Sequence, residues 1–350
     1  MNRLNIGSSA FFDRFFGAWW GAFIGDAMAL PVHGYSSERA IAADYGKIAD
    51  YVPPLDFHPE SVLHALPIPQ LPPEFDYIGK RRASLWRKRG THPHIGMRAG
   101  ASTLPLVLAL HLGASMASAG GFDIDAWLER YAAVMTSEDG HADTFIPSIH
   151  RRYFENLAAG KNPETNGCPD AHMSDIAIFA PLLFSTLKNP DKSSMDIFRA
   201  LKKFTIGEGA SSGAFFLSEI LAKVLRGSSI EEAIYKNMTP DRHVSLAFPY
   251  RRWIKNRDDY DAIRATGRFA AIEEAIPLTL YISLKYGTDV ITATVVNANI
   301  GGETTGRGAL IGMLAGAQCG LSHIPRNYID ALEYASEIQA VGELLYAMFR

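Results

Sequence analysis

From Phe11 onward the apolar residues recur with helical period, and windows that alternate polar and apolar with period two are nearly absent. The chain therefore reads as all-α. Residues 11–30 predict a helix with Phe12, Phe15, Phe16, Trp19 and Phe23 on one face and Gly17, Gly21, Gly25 and Ala29 on another; Pro31 ends it, and the loop Val32-His33-Gly34-Tyr35 follows. Seven prolines between 51 and 80 exclude regular helix there and predict an extended surface excursion, continued to 95 by a basic segment. Ser102 is placed to cap the apolar helix that follows, with Pro105 in its first turn. Further helices are expected at 125–135, 149–159, 173–187, 195–204, 212–226, after the capping box at 229–232, at 268–286 with a kink at Pro277, and at 328–350. The β-branched run 290–296 also fits a buried strand.

The stretch from Val290 to Leu321 is the most informative. It breaks at Gly301-Gly302, presents Glu303, Thr304 and Thr305, and resumes as a helix with Gly312, Gly316 and Gly320 at i, i+4, i+8. Glycines at that spacing share one face and admit a second backbone at short range. The matching ladder in 11–30 predicts contact through Gly21, Gly25, Gly312 and Gly316, which would bring Asp26 towards Glu303. The Gly301-Gly302 turn offers free N–H groups that can meet an anion.

Composition narrows the function. The 350 residues are 47% hydrophobic and 20% charged, an ordinary globular balance without a linker, so one domain over 1–350 is expected. The formal charge of −3 argues against a nucleic-acid partner. Cys168 and Cys319 are far apart and suggest no disulfide framework. No signal-peptide pattern is visible, and 104–119 is too short to span a bilayer and carries His111, so no membrane and a cytoplasmic location are expected. The cluster Lys80-Arg81-Arg82 with Arg87-Lys88-Arg89 reads as a solvated face or as a rim attracting phosphate.

The pairing of GAWWGAFIGDAMALP near the start with NANIGGETTGRGALIGMLAGA near the end resembles the ADP-ribosylglycohydrolases, which include dinitrogenase reductase-activating glycohydrolase and crystallin-like relatives. SSGAFFLSEILAKVLRGSSIEEAI and ATGRFAAIEEAIPLTLYISLKYGTDVITATVVNAN continue the likeness, which covers most of 11–335 and is weakest in 36–95 and 238–262. The resemblance implies a compact all-α fold that cleaves a glycosidic bond of ADP-ribose with two magnesium ions. Those metal motifs are degenerate in this chain. Thr-Asp-Asp-Thr is replaced by Gly100-Ala101-Ser102-Thr103, and Gly-Gly-Asp-x-Asp-Thr by Gly301-Gly302-Glu303-Thr304-Thr305-Gly306. Gly25-Asp26-Ala27 is intact, but His33 stands where an acid is expected. Magnesium needs hard, largely anionic oxygen ligands, so no metal cofactor is expected.

A metal-free glycosidase needs a carboxylate and a proton donor or acceptor near neutral pH. Glu303 is the first candidate, with His33, His141, Asp26 and Asp143 as further catalytic candidates; Gly301, Gly302, Thr304, Thr305, Ser102, Thr103 and His94 are expected to contact substrate. Asp26 and His141-x-Asp143 read equally as helix caps, and His92 and His94 as loop residues. The polar run 136–144 and the pair Asp170 and His172 add acids and histidines, and His92-x-His94 alone specifies little as a zinc site. The expected partner is a ribosylated or phosphate-bearing small molecule. Three readings follow: a divergent hydrolase without the binuclear site, an inactive relative that binds ADP-ribose or a nucleotide, and a structural protein. Convergence of His33, His141 and Glu303 in one pocket discriminates the first from the others.

Overall fold

The computed structural model describes residues 5, 7–170, 172–236, 243–256, 259–269 and 271–350; Ala171, within the acid–histidine pair singled out above, lies outside them. The described residues form an all-α structure whose only β-pairings are isolated bridges. Its first half runs α1 (Ser9–Ala29), α2 (Glu38–Tyr45), α3 (Gly79–Trp86), α4 (Leu104–Ala119), α5 (Ile124–Thr136), α6 (Ser148–Ala158), α7 (Pro163–Asn166) and α8 (Met173–Ala177). Then come α9 (Ala180–Leu183), α10 (Pro190–Lys202), α11 (Gly209–Leu225), α12 (Ile230–Lys236), α13 (Tyr250–Asn256) and α14 (Asp259–Thr266). The last are α15 (Ile272–Tyr286), α16 (Val290–Ile300), α17 (Thr304–Cys319), α18 (Arg326–Asp330) and α19 (Ala335–Phe349).

α1 and α17 form the axis of the core. They cross antiparallel through three glycine pairs: a Cβ built on Gly17, Gly21 or Gly25 would overlap the carbonyl oxygen of Gly316, Gly312 or Gly308, respectively. The expected contact is present, with Gly308 extending the ladder at one end and the Gly320 backbone also against Gly17 at the other. One hydrophobic cluster surrounds the axis and extends from Phe11 to Phe349. Of the aromatic face of α1, Phe15, Phe16, Trp19 and Phe23 are buried and Phe12 is not. Trp19 also donates from Nε1 to Ile338 O at 2.8 Å. Ser9–Val32 is long and apolar enough to cross a membrane by length and composition, which the sequence reading missed, but that whole window is buried in protein.

Several expectations are corrected. The run 290–296 takes the helix that the all-α reading requires and not the strand it also fits: Asp289 caps it by accepting from Thr292 N at 2.5 Å, and Gly301, with φ +80, stops it. Residues 173–187 form no single helix, because a new short helix, α9, with Pro181 in its first turn, starts after the end of α8. The expected helix 328–350 is divided at 331–334. Nor is the basic cluster wholly solvated. Ile78, Arg82 and Trp86 lie at i, i+4, i+8 and are all buried. Arg82 donates to Asp143 O at 2.9 Å and to His141 O at 2.5 Å, fixing the loop between α5 and α6.

Candidate active site

The head of α4 is built from a distance. Its first N–H groups lack intrahelical partners, and Ser102 does not cap them: its Oγ is buried without a partner. Two remote carboxylates do. Asp26, from α1, accepts from Thr103 N at 2.7 Å and from Thr103 Oγ1 at 2.5 Å. Asp143 Oδ2 accepts from Leu104 N at 2.9 Å. Burial pushes the Asp26 carboxyl up to about 7 against the pull of its Thr103 hydrogen bonds. Asp143 differs. Burial alone would raise it, but the His94 charge and the hydrogen bonds from His94, Leu104 and Phe145 hold it below the usual carboxylate range.

Asp143 also anchors a line of imidazoles. His94 Nδ1 lies 2.7 Å from Asp143 Oδ1, and His94 Nε2 lies 2.7 Å from His33 Nδ1. The Thr305 hydroxyl, on the first turn of α17, is 3.4 Å from that same His33 nitrogen. His94 and Asp143 are fully buried, whereas His33 keeps partial exposure beside the exposed Gly34. The Phe145 ring meets His33 edge-on at 5.5 Å between centroids. His92 braces the loop from behind, with Nε2 2.9 Å from Pro31 O and Nδ1 accepting from His94 N at 3.0 Å.

The chemistry of this line follows from which groups can only accept. Ionised Asp143 accepts, so His94 Nδ1 carries a proton, and a His94 without a second proton on Nε2 presents a lone pair there. In that tautomer His33 Nδ1 donates, which leaves His33 Nε2 as the basic nitrogen. Burial, and then the neighbouring His94, lower the His33 pKa well below the usual imidazole range, so this nitrogen is unprotonated at neutral pH.

Glu303 is placed differently from the sequence expectation. Its carboxylate turns back onto its own helix, accepting from Gly306 N at 3.1 Å and Arg307 N at 3.0 Å, and it also takes the backbone N–H of Ser174 at the start of α8. It is a buried cap shared by two helix starts. Arg307, lowered to about 10 by burial, lies beside it and donates to Asn297 Oδ1, Arg268 O and Gly301 O, which fastens the Gly301-Gly302 turn. Two N–H groups of the turn are not free: Gly302 N donates to Tyr35 O at 2.7 Å and Glu303 N to Arg268 O at 3.0 Å. Thr304 Oγ1 is likewise committed, to Ala29 O at 3.0 Å. Asp175, raised to about 8 by burial, interacts with Glu303 and leaves Oδ1 without a partner.

The expected trio does not assemble, so the convergence named above as the mark of a hydrolase is not met. Among the described residues no hydrogen bond joins His33, His141 and Glu303. His141 is buried with neither ring nitrogen partnered, and burial, followed by the Arg82 charge, lowers it to about 3. Asp26 is tied to Thr103 rather than brought to Glu303. What does assemble is His33, His94, Asp143 and Thr305. Arg82 and Arg307 were not singled out as parts of the site. Arg82 had a readable signal, its place on the same helical face as Ile78 and Trp86.

Asp26, Asp143 and Glu303 have both oxygens engaged by protein donors, and among the described residues no group of three or more His, Cys, Asp or Glu side chains is arranged to hold a metal ion.

A family model described as ADP-ribosylglycohydrolase matches residues 7–350. The ADP-ribosylarginine hydrolase Tri1 of Serratia proteamaculans (strain 568) is 28% identical over 138 residues, 38% of this chain and 35% of that protein, so the match spans about a third of the curated relative. A solved structure titled ADP-ribosylglycohydrolase-related protein complex superposes with a TM-score of 0.67 at 21% identity, covering 98% of this chain and 100% of that one, a likeness of fold.

Proposed function

The chain belongs to the ADP-ribosylglycohydrolase family, and on that premise we propose that it hydrolyses a glycosidic bond of an ADP-ribosylated substrate without the binuclear magnesium site, using His33 as the general base. The observation that supports this reading most is the unbroken line from the partly exposed His33 through His94 to the buried Asp143 carboxylate, with two separations of 2.7 Å.

In this reading His33 Nε2 takes a proton from water as the water oxygen bonds to the anomeric carbon. The bonding pair of the cleaved C–N or C–O bond departs with the leaving group, which recovers the proton from the imidazolium, so the net reaction adds one water. Burial makes isolated His33 a weak base. The line compensates for that weakness. As Nε2 gains a proton, the Nδ1 proton can move towards His94, whose charge is balanced by Asp143. Asp26 and Glu303 keep supporting roles: the first holds the head of α4, the second the heads of α8 and α17.

A binding-only role is not better supported, because two of the turn N–H groups that could hold a phosphate, those of Gly302 and Glu303, are bonded to Tyr35 and Arg268. The test is a panel of N-linked and O-linked ADP-ribosides, beginning with ADP-ribosylarginine, assayed for released ADP-ribose in metal-free buffer. Release from at least one class is expected. Binding without release from any class would overturn the hydrolase reading.

A further inference from the structure

From Tyr77 to Phe122 the chain carries seven lysines and arginines and no aspartate or glutamate, although the whole protein has a charge of −3. Arg82 is consumed inside, but Lys80, Arg81, Arg87, Lys88, Arg89 and Arg98 are exposed. None of the six takes part in an ion pair among the described residues.

The structure adds an apolar element that the charge pattern did not reveal. Phe57 bridges to Thr91 and lays its ring over Gly90, in the turn that closes the Arg87-Lys88-Arg89 run. That ring is 61% exposed, and Leu55, two residues away on the same extended strip, is 43% exposed. One carboxylate, Asp56, is exposed between them. The edge is joined to the site. Arg81 donates to Ala142 O at 3.1 Å, next to His141, and the basic run leads through His92 and His94 to Arg98.

We propose that this edge docks an acidic polypeptide, with Phe57 and Leu55 against apolar residues of the partner and the surrounding cations against its carboxylates. An exposed aromatic ring within a cluster of arginines is the composition that concentrates binding energy at protein interfaces. A nucleic acid fits less well. The cationic strip is short, α3 being eight residues, about 12 Å, and a polyphosphate chain extending beyond it meets a surface of net negative charge. Docking does not depend on turnover; that the docked protein also carries the group to be removed rests on the hydrolase reading.

The test uses the full chain and a labelled peptide rich in glutamate and aspartate with leucine and phenylalanine interspersed, read by fluorescence anisotropy. Binding at low salt should weaken as salt rises. Combined Arg87→Glu, Lys88→Glu and Arg89→Glu substitution should lower affinity at least ~10-fold by replacing attraction with repulsion. Phe57→Ala should lower it severalfold with the salt dependence unchanged. All four positions are exposed, and circular dichroism checks that the variants fold. Absence of peptide binding, indifference to the triple substitution or to Phe57→Ala, or tighter binding of a single-stranded oligonucleotide of equal charge would each overturn the proposal. None of these readouts requires catalysis, so they stand or fall apart from the hydrolase reading.

Discussion

The Nδ1 atom of His33 lies 2.7 Å from the Nε2 atom of His94, a separation that holds one proton between two rings. His94 Nδ1 is engaged by Asp143 at the same distance, so a buried carboxylate anchors the far end of the pair.

Asp143→Asn removes the charge while keeping the shape, and its amide can donate where the carboxylate accepts. Turnover should fall by ~10²–10⁴-fold, the range of general-base effects, with KM little changed. The Asp143 charge raises the His33 pKa, so its loss should move the acid limb of the kcat/KM profile to lower pH. A purely structural role for Asp143 would leave that limb in place.

Glu303→Gln separates two readings of the residue that the sequence placed first. As a shared cap beside Arg307, its loss should lower stability by ~0.5–2 kcal/mol and leave any turnover of the folded protein within a few fold. A turnover loss of ~10²-fold or more with an unchanged melting temperature would show that the carboxylate acts in the chemistry.

Gly312→Ala puts a Cβ onto the Gly21 carbonyl oxygen. Separating α1 from α17 should cost ~1–3 kcal/mol, read from the denaturant midpoint. A methyl group added at Gly121 would meet nothing within 4 Å, and the backbone there has no positive φ, so Gly121→Ala should stay within ~0.5 kcal/mol.

Stability should be greatest near pH 6.5. Burial lowers His33 and His58 and brings His92, His141 and His150 to about 3, so below the ordinary imidazole pKa the unfolded chain binds protons that the folded chain refuses. Stability is therefore lost as pH falls from about 6.5. Asp26 at about 7 and Asp175 at about 8 have the opposite sign: folded, they keep protons that the unfolded chain has released, so stability also declines as pH rises to 8. Between pH 4 and 6.5 the more numerous histidines dominate. A melting temperature flat from pH 5 to 8 would contradict these assignments.

The glycine ladders were legible because an i, i+4, i+8 repeat of the smallest residue has a direct packing consequence. The cap of α4 was not: Ser102 satisfied the local rule, and tertiary carboxylates from Asp26 and Asp143 displaced it. His33, His94 and Asp143 were each visible as candidates, but they are 61 and 49 residues apart in successive links, and nothing in such spacing declares a hydrogen bond. For Glu303 the missing information was direction. A carboxylate just before a helix can face a cleft or fold back on the helix's own N–H groups, and the three donors at Gly306, Arg307 and Ser174 decided it.

The most direct measurement is release of ADP-ribose from an ADP-ribosylated substrate in excess chelator, by the wild-type chain and by His33→Gln. Wild-type turnover is expected to survive the chelator, and His33→Gln to lower it by at least ~10²-fold while the melting temperature at pH 7 is preserved. Turnover that requires added magnesium and is unaffected by His33→Gln would contradict a metal-free mechanism with His33 as its base.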